Sequence, residues 1–230
     1  MKRDLFLRRL IGKSNLPPIN SIVFESSVPG TYSVFVKQGI YLLEISGGGG
    51  KSGKASKTSK SMFSGGGGGG GAAFKGQIKI ETARTLSMIV GKGGTSSGPT
   101  INGYNIGGSD GEWGGASQIS GIVVCNGGRG GMFGAVRNNV APGGTYNFIM
   151  PEIIISKIIG AAGNNGGPGD MNAPAKGANS KLTETGGGIP HGGHGTKPGA
   201  GGAGTTASES FGGNGANGII KLTFVGKINI

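Results

Sequence analysis

Residues 65–80 read GGGGGGGAAFKGQIKI, in which seven consecutive glycines lead directly into a short apolar stretch. The part from Phe74 to Ile80 has the length and the alternation of polar and apolar residues that are typical of a β-strand. The same arrangement, a glycine tract next to a strand-like segment, recurs along the chain. Glycine accounts for 55 of the 230 residues. The conformation of the glycine tracts therefore decides the fold.

The other apolar stretches also have the length of strands, and none has the 3.6-residue period of an amphipathic helix. Turn signals at Pro29 and Gly30, and again at 37–39, separate the first three of them. We expect strands at 21–24, 31–36, 39–45, 74–80, 85–90, 116–125, 146–150, 152–159 and 218–225. The sequence therefore predicts an all-β fold: a β-rich framework with long glycine-rich insertions and essentially no α-helix, apart from a short one at the N-terminus.

Glycine-rich insertions lie between the predicted strands at 47–71, 91–115, 126–144 and 160–218, and the last of them shows neither a strand nor a helix pattern. They alternate with apolar segments, unlike a disordered chain, and their glycines lack the strict three-residue spacing of collagen. An ordered conformation open to them is the extended threefold helix of polyproline, in which glycine keeps its N–H and neighbouring helices bond laterally. Residues 65–71 are the strongest candidate for such a helix at the crowded centre of a bundle. The alternative is a flexible linker.

The chain carries a net charge of +12, which favours anionic partners such as phosphate-rich surface polymers, nucleic acid or an acidic protein. A solvated basic surface is the alternative. The single cysteine, Cys125, allows no disulfide within the chain, which is compatible with assembly in a reducing cytoplasm. No run approaches 18 apolar residues, so membrane insertion is not expected.

The first eighteen residues differ from the rest and divide the chain into a segment 1–18 and a glycine-rich β domain 19–230. Their apolar side chains predict a short amphipathic helix that ends before Pro17 and Pro18. Such a helix is too short to be stable alone, so the segment is either a frayed tail or a docking segment that folds on a partner. The candidate docking residues are Leu5, Phe6, Leu7, Leu10 and Ile11.

The order of the segments resembles the glycine-rich domains at the tips of bacteriophage tail fibres and adhesins. The residues that carry the resemblance are GTYSVFVKQGIYLLEISGGGG (30–50), GGGGGGGAAFKGQIKIETARTLSMIVGKGG (65–94), GGASQISGIVVCNGGRGG (114–131) and GGNGANGIIKLTF (212–224). The resemblance extends from Ile19 to Val225. It implies a bundle of polyglycine helices with loops that bind host surface proteins or glycans. The detachable adhesins of long tail fibres carry a larger attachment region than the segment 1–18.

The resemblance implies a non-enzymatic virion protein, a tail-fibre or tail-tip adhesin that is assembled in the host cytoplasm and exposed on the exterior of the virion. Segment 1–18 would bind other tail or fibre proteins, and the protein would be a homotrimer or a monomeric tip. The alternative is a purely structural minor virion protein of tail, baseplate or capsid. A nucleic-acid-binding protein is a third class, but the single Gly-Arg-Gly element at 127–131 lacks the interleaved aromatic residues that stack on bases.

Two aromatic residues of one glycine-rich insertion, Tyr104 and Trp113, are candidate receptor contacts. Indole rings cover sugar rings and anchor protein interfaces, although a tryptophan that caps the β core is an equal alternative. Four lysines spaced by three residues are the second candidate: Lys51, Lys54, Lys57 and Lys60. A threefold helix would place them along one edge, about 9 Å apart, where they would attract a phosphate-bearing polymer. The alternative is a mobile Lys/Ser loop.

No catalytic, cofactor or metal site is expected. The segment 44–54, EISGGGGKSGK, resembles a phosphate-binding loop, but Ile45 stands where that motif requires glycine. His191 and His194 lack the third ligand that Zn²⁺ requires. The acidic residues are scattered, and no histidine accompanies a serine elbow.

Overall fold

The computed structural model describes residues 16–57, 62–95, 111–132, 141–161, 163, 175–189, 192–204 and 212–228. Within these ranges the chain forms twelve strands and one turn of 3-10 helix, which confirms the predicted all-β fold. No helix among the described residues is long and apolar enough to cross a bilayer. The predicted docking residues between Leu5 and Ile11 lie outside the described residues.

The strands have the following bounds: β1 (Ser21–Ser26), β2 (Gly30–Val36), β3 (Gly39–Ser46), β4 (Ser56–Lys57), β5 (Met62–Phe63), β6 (Ala73–Ile80), β7 (Arg84–Val90), β8 (Ser117–Ile119), β9 (Val123–Cys125), β10 (Tyr146–Phe148), β11 (Ile154–Ala161) and β12 (Ile219–Gly226). One antiparallel sheet has the order β1-β12-β3-β6-β11, and the second has the order β10-β9-β8-β7-β2. Strands β4 and β5 form a separate pair. The 3-10 turn Pro151–Ile153 precedes β11.

The two sheets share one apolar core, because alternate side chains of their strands are buried. On β3, Leu43 and Ile45 are completely buried, and Met88 of β7 is completely buried on the second sheet. Phe74 of the first sheet meets Phe148 of the second edge to face, with 5.0 Å between the ring centroids. Each large side chain buried here contributes about 1.5–3 kcal/mol to stability.

The predicted strand at 116–125 is wrong, because the chain reverses within it. The sequence pattern indicated a continuous strand at 116–125, whereas the structure has β8 and β9 joined by a turn at 120–122. Gly121 has a φ of 74°, a left-handed conformation that glycine adopts without a steric penalty and that reverses the chain. The sequence pattern does not reveal this turn, because apolar residues lie on both sides of it.

Cys125 lies at the end of β9 and is buried, and burial raises the pKa of its thiol to about 12. The thiolate is the reactive form, so at pH 8 the folded protein should react with a maleimide about a thousandfold more slowly than the urea-unfolded chain. The unfolded thiol also ionises first, so the stability contributed by the neutral thiol is lost as the pH rises from about 9 to about 12. Mass spectrometry measures the labelling rates of the folded and of the unfolded protein. Complete labelling of the native protein within seconds would contradict the burial.

The glycine tracts join the strands at one end of the sandwich. Tract 47–53 follows β3, and tract 65–72 precedes β6. Since β3 and β6 are antiparallel, Ser46 pairs with Ala73, and the next N–H, that of Gly47, donates to the carbonyl of Ala72 at 3.0 Å. The sheet ladder therefore continues directly into the tracts. The remaining tracts attached to strands at this end are 91–95, 111–116, 126–132, 141–145 and 212–218.

Successive N–H groups of tract 47–53 donate to three different tracts in turn, over N–O distances of 2.8–3.1 Å. Every third donor returns to the same neighbour. The N–H groups at 47, 50 and 53 donate to tract 65–72, those at 48 and 51 to tract 111–116, and those at 49 and 52 to tract 212–218. This order has a period of three residues and differs from the twofold alternation of a strand.

The carbonyl groups of tract 47–53 accept from three further tracts, 91–95, 126–132 and 199–204, so six tracts surround it. Among the described residues, tract 199–204 likewise bonds to six other tracts, and tract 65–72, predicted as the centre, bonds to five. At the glycines of these tracts a side chain would not fit: a Cβ at Gly50, for example, would overlap the carbonyl oxygen of Arg129. Glycine is therefore required here by close approach of one backbone to another.

Candidate functional site

A groove of about 430 Å³ runs along the side of the glycine tracts, next to the second sheet. Tracts 111–116 and 141–145 contribute to it together with tract 126–132, which bonds to both of them. The groove is lined by Trp113, Asn126, Arg129, Pro142 and Thr145, among others. Its volume lies within the range of small-molecule sites in proteins.

Trp113 stands at this groove and is 56% exposed as a residue, so it does not cap the β core. Its tract is held in place because the N–H groups of Gly111 and Gly114 donate to the carbonyls of Gly131 and Gly128, each at 2.9 Å. The Cζ atom of Arg129 lies 5.4 Å from the centroid of the Trp113 ring, which is a cation–π contact. An aromatic surface and a fixed positive charge are thus combined at one place.

Arg129 is held through its backbone: its N–H donates to Pro142 at 3.0 Å, and its carbonyl accepts from Gly69 at 2.8 Å. Its Nε is buried and has no hydrogen-bond partner among the described residues. No described carboxylate forms an ion pair with it. Sequence reasoning weighed this residue only as part of an RNA-binding element and missed it as a site residue. The signal in the sequence that could have found Arg129 was its position as a single charged residue between glycines.

The rest of the groove offers uncharged polar groups. The Nδ2 of Asn126 donates to the Oγ1 of Thr145 at 3.0 Å, which orients both side chains. The N–H of Gly127 has no hydrogen-bond partner among the described residues. None of the described residues that line the groove is acidic. The groove can therefore accept a ligand that combines a ring, hydroxyl groups and a negative charge.

Lys51, the first of the four lysines of the predicted basic edge, is buried among the glycine tracts. Lys51 is only 8% exposed, and its Nζ donates to the Oδ1 of Asn214 at 2.6 Å and to the carbonyl of Thr95 at 3.2 Å. Burial lowers the pKa of Lys51, and the nearby Glu112 carboxylate opposes that shift. Lys51 is enclosed because six tracts surround tract 47–53, so it cannot be the first residue of an exposed edge. This part of the prediction is corrected.

The other candidates are only partly placed. Lys54 is half-buried, and the backbone of Lys57 lies in β4. Lys60, Tyr104 and His191 lie outside the described residues. His194 is exposed, and its Nδ1 accepts from the N–H of Asn214 at 2.8 Å. The described residues contain no group of three side chains that could hold a metal ion.

Lys51 should contribute to stability rather than to ligand binding. Lys51→Met leaves the Oδ1 of Asn214 and the Thr95 carbonyl without their ammonium donor, and we expect the free energy of unfolding to fall by about 1–3 kcal/mol. Lys176→Met removes the same charge from an exposed position and should change it by less than about 0.5 kcal/mol. Urea denaturation measures both. Equal stability of the two variants would show that the buried contacts of Lys51 are not stabilising.

No protein-family model matches this chain, and none of the curated proteins matches it.

Proposed function

We propose that this chain is a non-enzymatic virion protein of a tailed phage, a tail-fibre or tail-tip adhesin whose loops contact the host surface from a bundle of polyglycine helices. The observation that carries the proposal is the period of three in the hydrogen bonds of tract 47–53. A threefold helix has three residues per turn, so N–H groups three residues apart point to the same neighbour. A flexible linker would have no such order.

The bundle is suited to holding its far end in a fixed position. Gly53 lies seven residues beyond β3, which corresponds to about 20 Å at the rise of a threefold helix. At this level Gly53 donates to Gly66 at 2.9 Å, and Gly66 donates to Met132 at 2.8 Å. Hydrogen bonding therefore continues from the sandwich to the far ends of the tracts. A bundle that is hydrogen-bonded over about 20 Å from the sandwich would hold the residues at its far end in fixed positions, as an adhesin requires. The resemblance of the sequence to phage fibre tips also supports an adhesin.

Adsorption to cells tests the proposal. Fluorescently labelled full-length protein, mixed with a panel of bacterial strains, should bind some strains saturably and should block their infection by the parent phage. Segment 1–18 is the proposed attachment to other tail proteins, so immunogold labelling should place the chain at a fibre or tail tip. Absence of adsorption to every strain that the phage infects would contradict the adhesin.

A second candidate is a structural virion protein that contacts other phage proteins. It is favoured by exposed apolar side chains on the sandwich, since Ile22, Phe35 and Ile158 are 54%, 61% and 62% exposed. Immunogold labelling of the chain at the capsid or the baseplate core, together with the absence of adsorption to cells, would support this candidate over the adhesin.

A further inference from the structure

We propose that the groove at Trp113 and Arg129 binds an acidic sugar, a pyranose ring that carries a carboxylate; this rests on the proposed adhesin function and names its ligand class. The ligand would be one residue of an acidic surface polysaccharide. Each part of such a ligand has a matching group in the groove.

The ring of the sugar is matched by Trp113. Because Trp113 is 56% exposed as a residue, its indole presents apolar surface that the C–H groups of a pyranose can cover, while its polar N–H remains at the edge. The guanidinium of Arg129, 5.4 Å from the ring centroid, restricts both side chains before any ligand arrives. Binding therefore orders fewer rotatable groups, which lowers its entropic cost.

The carboxylate is matched by Arg129. A guanidinium binds a carboxylate through two parallel hydrogen bonds, which adds direction to the charge attraction. No described acidic residue forms an ion pair with Arg129. Its backbone is held by hydrogen bonds to Gly69 and Pro142. A neutral sugar would leave this charge unmatched.

The hydroxyl groups of the sugar are matched by a donor and an acceptor. The N–H of Gly127 has no partner among the described residues and can donate. Asn126 uses its Nδ2 on Thr145, which leaves its Oδ1 as an acceptor. Sugar hydroxyls both donate and accept, so they suit this mixed lining.

A nucleic acid fits the groove less well than an acidic sugar. Binding to a phosphate backbone depends on several cationic side chains placed along it. Arg129 is the sole cationic side chain among the described residues that line the groove. The charge at this site therefore matches a single carboxylate.

Tryptophan fluorescence tests the proposal, because Trp113 is the one tryptophan of the chain. The full-length protein is titrated with a β-1,4-linked tetrasaccharide of glucuronic acid, and with cellotetraose as its neutral counterpart. We expect a saturable change of emission with the acidic tetrasaccharide and affinity for cellotetraose at least about tenfold weaker. Arg129→Gln should lose at least about tenfold in affinity for the acidic form. Lys176→Gln, which removes one exposed charge elsewhere, should bind like the wild type.

Several outcomes would overturn the proposal: no response to the acidic tetrasaccharide, equal affinity for cellotetraose, or unchanged affinity of Arg129→Gln. An equal response to inorganic phosphate or to duplex DNA at matched ionic strength would also overturn it. Urea denaturation of each variant checks that it is folded. Sugar binding by Trp113→Phe, which keeps an aromatic ring but has no tryptophan, is measured by calorimetry.

Cell adsorption separates this proposal from the adhesin function. If the wild type adsorbs to cells and Arg129→Gln and Trp113→Phe adsorb equally well, the groove proposal is overturned and the adhesin stands. If the acidic tetrasaccharide binds but no strain adsorbs the protein, the groove proposal stands and the adhesin is contradicted.

Discussion

Gly68→Ala should lower the free energy of unfolding by about 3 kcal/mol, at the upper end of the usual cost of overpacking. A Cβ at this position would overlap the carbonyl oxygen of Gly50 in the adjacent tract. The backbone cannot move away easily, because Gly68 donates to Gly202 at 2.8 Å and accepts from Ala178 at 3.0 Å. Alanine also restricts the unfolded chain, which stabilises by about 0.4–1 kcal/mol, so the steric overlap should win.

Gly226→Ala is the matched control for this change. Gly226 ends β12, its φ is not in the left-handed region, and no atom lies within 4 Å of a Cβ placed there. The substitution should therefore change the free energy of unfolding by less than about 0.5 kcal/mol. Urea denaturation of both variants decides the matter. If Gly68→Ala were as stable as Gly226→Ala, the tracts would not be packed backbone against backbone.

Phe74→Ala should cost about 3–5 kcal/mol of stability, because it removes a completely buried ring from between the two sheets. The ring contacts Phe148 edge to face, so the substitution also removes that aromatic contact, and Phe148 keeps its contact with Tyr146. Tracts 65–72 and 141–145 lead directly into β6 and β10, the strands that carry these two rings. We therefore expect the sandwich and the glycine tracts to unfold in one transition.

The control is Phe35→Ala, which removes the same ring where it is 61% exposed and should cost less than about 1 kcal/mol. Urea unfolding is followed by Trp113 fluorescence, which reports on the tracts, and by labelling of Cys125, which reports on the sheets. Coincident midpoints are expected in both variants. A Trp113 transition at clearly lower urea than the Cys125 transition would mean that the tracts unfold independently.

Most of the framework could be predicted from the sequence, because a strand buried on one face alternates polar and apolar residues. The predicted strand at 39–45 corresponds to β3 and that at 74–80 to β6, each within one residue at its ends. Alternation does not reveal chain reversal, and β8 and β9 were therefore read as one strand. Their turn depends on the single Gly121, which looks like any other glycine of this chain.

The candidate site was less predictable, because sequence spacing does not show which tracts are enclosed. Lys51 has the spacing of an exposed series, but it lies in a tract with six neighbours and is buried. Trp113 was recognised as an isolated aromatic residue. Its contact with Arg129 depends on tracts 111–116 and 126–132 lying side by side, and these are separated in the sequence by β8 and β9.

Amide hydrogen exchange, followed residue by residue by NMR, tests the central claim that the glycine tracts are hydrogen-bonded threefold helices. If they are, all seven consecutive amides of tract 47–53 should exchange about a thousandfold or more slowly than in an unfolded chain, since each donates to another tract. The amide of Gly127, which has no partner among the described residues, should exchange fast. Fast exchange throughout 47–53, as in a flexible linker, or protection of every second amide, as in an edge strand, would contradict it.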